Sequence, residues 1–168
     1  MAKLRMKETP GTNLLVSMLI RYPELSSLSL NSKSGMLTLT VLLKGESTKE
    51  NCGTFAAYCA DYFAVCRDLD PGFSTLGKID HSFLDGVTIL TYEQQVEALH
   101  LPELSLYMQL VREYYGGMVG EDLLPLQEAE LDAQEEIIAS ILGEKETLRK
   151  EDSIIAYRDG GKVFVYNK

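Results

Sequence analysis

Leu28–Arg67 reads LSLNSKSGMLTLTVLLKGESTKENCGTFAAYCADYFAVCR, and the two periodicities it contains decide the fold. Successive side chains on a strand point to opposite faces, so a period of two marks a strand with one covered side. Leu37, Leu39, Val41 and Leu43 fall on one face with Thr38 and Thr40 opposite, and Leu28 and Leu30 alternate in the same way with Ser29 and Asn31. Ser32, Lys33, Ser34 and Gly35 between them carry turn chemistry, which predicts a β-hairpin. Past Ser47 and Thr48, either of which can cap a helix with Glu50 reinforcing the first turn, the period lengthens. Cys52, Phe55, Ala56, Cys59, Phe63 and Cys66 recur at three- and four-residue steps and form a stripe suited to the apolar face of the hairpin. The other side of this helix carries Ala57, Tyr58, Ala60, Tyr62, Ala64 and Val65 with only Asp61 among them. A helix apolar nearly all round needs cover on two sides. The cover for the second side is either the C-terminal half of the chain or a second copy, which makes Tyr58, Tyr62 and Val65 the candidate interface of a homo-oligomer.

Outward from this stretch, Lys3, Arg5 and Lys7 make a basic arm ending at Pro10 and Gly11. Thr12 can cap a first helix whose stripe is Leu14, Leu15, Met18 and Leu19 and which Pro23 ends. Beyond the break at Asp68–Gly72, a strand is expected at Thr75–Ile79 and a clearer one at Val87–Thr91. From Thr91 the pattern turns helical. Thr91 with Gln94 reads as a capping box for a short helix to Leu99, and Pro102 opens a second lined by Leu106, Leu110, Val111 and Tyr114. A third, Leu126–Arg149, has a narrow seam of Leu131, Ile138, Ile141, Leu142 and Leu148. The chain closes with a hairpin, Ile154–Arg158 and Lys162–Tyr166 around Asp159, Gly160 and Gly161.

The succession predicts an α+β fold, a small mostly antiparallel sheet covered by helices, followed by a helical segment and a C-terminal β-hairpin. Residues 1–91 form an α-β-β-α-β core, and residues 92–168 form the acidic helical segment with its terminal hairpin, either packed on the core as one domain or separate. In element order alone, Thr91–Lys168 resembles the winged-helix arrangement. Its third helix presents Glu128, Glu130, Asp132, Glu135 and Glu136, so that resemblance implies protein rather than DNA contacts.

The net charge of -9 is unevenly placed, with nine Lys and Arg against nine Asp and Glu in residues 1–90 and seven against sixteen beyond. The second segment should therefore repel nucleic acid and anionic membranes, and a basic protein is the partner its acid face would recruit. Cys52, Cys59 and Cys66 lie seven residues apart on one helix, roughly 10 Å between neighbours, too far to pair or to share a metal ion. Three reduced thiols point to a cytoplasmic protein. The apolar run Leu14–Ile20 is too short for a membrane span and lacks the flanks of a signal peptide.

No phosphate loop, nucleophile elbow, paired CxxC or HExxH occurs, so no catalytic set and no cofactor site is read from the chain. The metal candidates are Glu93, Glu97 and His100, which would share one helix face at steps of four and three, with the Glu-x-x-His spacing of di-iron bundles. The other histidine, His81, has no matching Glu. These observations point to a non-catalytic interaction or regulatory module that self-associates. The alternative is a small-molecule-binding or enzymatic domain whose polar groups are dispersed in sequence.

Overall fold

In the computed structural model, which describes residues 9–119, 128–144, 148 and 153–167, the fold is α+β. The arm residues Lys3, Arg5 and Lys7 and the ends of the third predicted helix lie outside the described residues. Helix α1 (Pro10–Arg21) has its cap three residues before the expected one: Thr9 is the N-cap and its hydroxyl accepts from the Thr12 amide at 3.2 Å. Pro10 then occupies the first turn, where its missing N–H costs nothing. Strands β1 (Leu25–Asn31) and β2 (Met36–Lys44) form the predicted hairpin, with Asn31 Oδ1 accepting from the amides of Lys33 and Ser34 at 3.0 and 3.2 Å. Helix α2 (Lys49–Leu69) is capped by Thr48.

Strand β3 runs from Lys78 to Leu84, later than expected, and β4 runs from Val87 to Gln95. The expected helix at Thr91–Leu99 is thus corrected to the end of β4 and one 3-10 turn at Val96–Ala98. Tyr92 and Gln94 are buried while Glu93 between them is not, a strand period that pairing with β2 enforces over any local capping preference. Helix α3 (Leu101–Tyr115) and helix α4 (Glu128–Gly143) follow, then β5 (Ile154–Asp159) and β6 (Lys162–Asn167).

The six strands among the described residues join one antiparallel sheet in the order β3-β4-β2-β1-β5-β6. The terminal hairpin therefore extends the sheet beside β1 and does not form a wing on the three preceding elements, which corrects the winged-helix reading. The buried residues of β1, β2, β4, β5 and β6 lie on one face, where they merge with those of the described helices into one core, and half-buried Ile79 of β3 packs against it. Tyr92 of β4 stacks on Tyr107 of α3, centroids 4.1 Å apart. Arg158 of β5 donates to the Leu19 and Leu25 carbonyls, tying the end of α1 to the sheet. The opposite face carries Ser27, Thr40 and Thr91 in one cross-strand row and Ser29, Thr38 and Glu93 in the next, all half-buried and outside the core. Among the described residues no helix is long and apolar enough to cross a membrane.

Candidate interaction surface on the long helix

Helix α2 lies over the β3 side of the sheet and beside α3. Its buried stripe is Cys52, Phe55, Cys59 and Phe63, as the period predicts, while Cys66 one turn later is only half-buried. Phe55 is the hub. Its ring meets His81 of β3 edge-on at 6.4 Å and packs against Tyr107, Tyr114 and Tyr115 of α3. Burial pushes the Cys59 thiol up to about 12, because a thiolate has no water or cation to stabilise it there.

The second side of α2 is divided. Tyr58 leans on α3, with its ring 5.6 Å from Tyr114 and its hydroxyl donating to Glu113 Oε2 at 3.3 Å. Tyr62 packs against Tyr58 at 4.9 Å but stays 44% exposed, and Val65 and Leu69 are exposed further still. The neighbouring Tyr62 hydroxyl first, partial burial next and the Glu113 carboxylate push the Tyr58 hydroxyl up to about 12. The flank turned away from α3 carries Gly53, Ala57, Ala60 and Ala64, all exposed. The structure thus brings Tyr58 and Tyr62 together, partly against α3, and leaves two open sides on one helix.

Glu93, Glu97 and His100 are not brought onto one helix face. Glu93 stands on the outer face of β4, Glu97 lies in the 3-10 turn and His100 is the N-cap of α3, its Nδ1 3.6 Å from Glu103 Oε1. Among the described residues no three His, Cys, Asp or Glu side chains gather as a metal site.

Two polar residues gain roles that the sequence did not signal. His81 Nε2 lies 3.0 Å from the Tyr115 hydroxyl, and burial lowers its pKa against an opposing pull from Asp80. Glu103, only 2% exposed, accepts from the Ser74 amide at 2.8 Å, while the Ser74 hydroxyl donates to the Ala98 carbonyl. These bonds pin the Phe73–Gly77 segment to the start of α3, a structural duty rather than an open site. A Glu in the first turn of a predicted helix reads as a dipole partner, and only the position of a distant loop makes it an anchor. Comparison of the chain with protein-family models, curated proteins and solved structures gives no match.

Proposed function

We propose that this chain is a non-catalytic interaction module that self-associates through α2. The observation that carries the reading is the exposed apolar surface of that helix: Tyr62, Val65 and Leu69 on one side, and the Gly53, Ala57, Ala60 and Ala64 flank on the other. Surface of this kind on an isolated chain favours association. Tyr58, Tyr62 and Val65, the residues singled out by sequence, belong to the first side. Three uncrosslinked thiols fit a reducing, cytoplasmic setting, and the exposed acids Glu128, Glu130, Asp132 and Glu136 on α4 suit a basic protein as a further partner.

The test is the mass of the intact protein by light scattering at micromolar chain concentration. A dimer or larger assembly is expected, and changing both sides of α2 together, Tyr62→Glu with Ala60→Arg, should return a folded monomer. A wild-type monomer throughout that range overturns the reading.

A further inference from the structure

We infer that the small-residue side of α2, rather than the Tyr62 side, meets a second copy of the chain, the two copies joined through β3 with their edge strands pairing antiparallel about a two-fold axis at His81. The inference rests on the self-association reading and names its geometry. Asp85 and Gly86, with φ of 49° and 78°, close the β3–β4 hairpin as a two-residue loop, so Leu84 and Val87 flank it as a hydrogen-bonded pair. Alternation then aims the N–H and C=O groups of Ser82, Asp80 and Lys78 at β4. Those of Ile79, His81 and Phe83 aim away from the sheet, along an edge that no described strand joins.

Natural edge strands are blunted by proline, bulges, inward charges or cover. This edge has an unbroken register from Lys78 to Leu84, no proline, and its one lysine at the very start. The strand is also complementary to itself. Pairing His81 with His81 of the second copy sets Ile79 opposite Phe83 on the helix side and completes about six backbone hydrogen bonds. On the outer side Asp80 falls opposite Ser82 and Lys78 opposite Leu84, so no like charges stand directly opposed. Asp80 is already paired with its own Lys78 at 3.3 Å.

The helix layer fits the same contact. Phe55 fixes α2 beside His81, and Tyr58 fixes which flank faces α3. The small-residue flank is on the opposite side, with Lys49 and Arg67 at its two ends and only small side chains between them, and a Cβ built on Gly53 would meet no atom within 4 Å. Among the described residues edge β6 lacks such a companion, since α1 beside it exposes only Pro10 and Asn13.

Sedimentation velocity across a dilution series of the full chain, combined with amide hydrogen exchange, tests this. The wild type should dimerise, with the Ile79, His81 and Phe83 amides protected at high concentration and released on dilution. Phe83→Pro, which removes an outward N–H without touching the β4 ladder, and Ala60→Arg should each weaken the dimer at least tenfold, while Tyr62→Glu leaves it intact. Circular dichroism of each variant identifies one that fails to fold, and the exchange pattern of the wild type then decides alone. A dimer that survives Phe83→Pro and Ala60→Arg but falls to Tyr62→Glu overturns the β3 pairing and leaves the self-association reading standing. A wild-type monomer overturns both.

Discussion

His81 is where a single residue couples the edge strand to the core. Its ring is charged freely in the unfolded chain but resisted in the folded one, because burial lowers its pKa. The unfolded state therefore binds more protons below the ordinary value of about 6.5. Stability should be full above that pH and fall as the pH drops from there to the lower folded value. Urea unfolding of the wild type and of His81→Phe across this window checks the sign, and the variant should show the flatter profile. Phe55→Ala, which empties the hub between α2, α3 and β3, should cost ~3–5 kcal/mol in the same assay. Thiol labelling without denaturant should reach Cys66 first and Cys59 only on unfolding, as their unequal burial and the raised Cys59 pKa require. Equal, rapid labelling at all three positions would contradict the placement of α2.

Among the elements, the connection from α2 into β3 tolerates little change at Gly77. A Cβ at Gly77 would lie 2.2 Å from the Glu93 carbonyl oxygen and 3.0 Å from the Tyr92 ring, and neither can withdraw, since Tyr92 is fully buried and hydrogen-bonded to the Gly77 amide at 2.9 Å. Gly77→Ala should therefore destabilise by about 1–3 kcal/mol, the range for overpacking, with a thermal melt as the measure. The hairpin β1–β2, helix α2 and hairpin β5–β6 were legible because their periods are long and uninterrupted. The helix expected past Thr91 gives way to β4 because a capping-box pattern and a strand period overlap at Thr91–Gln94, and pairing on both sides, with β3 and β2, decides for the strand. The same overlap produced the apparent grouping of Glu93, Glu97 and His100. The edge status of β3 had no local signal, since strand order is set by long-range pairing.

For the whole molecule, charge and topology point the same way. With 16 Lys and Arg against 25 Asp and Glu, and the excess acid in the C-terminal half, the intact chain should show no saturable binding to duplex DNA at physiological salt. An anisotropy titration checks this. Among the described residues the helices pack on one face of the sheet, the edges of β3 and β6 are joined by no further strand, and of these two the β3 edge lies beside an exposed apolar helix flank. The central claim is that two such edges meet. The measurement that addresses it most directly is an isotope-filtered nuclear Overhauser experiment on a mixture of labelled and unlabelled chains. Contacts between the Ile79 methyl groups of one copy and the Phe83 ring of the other are expected. Their absence from a sample shown to be dimeric would contradict the account.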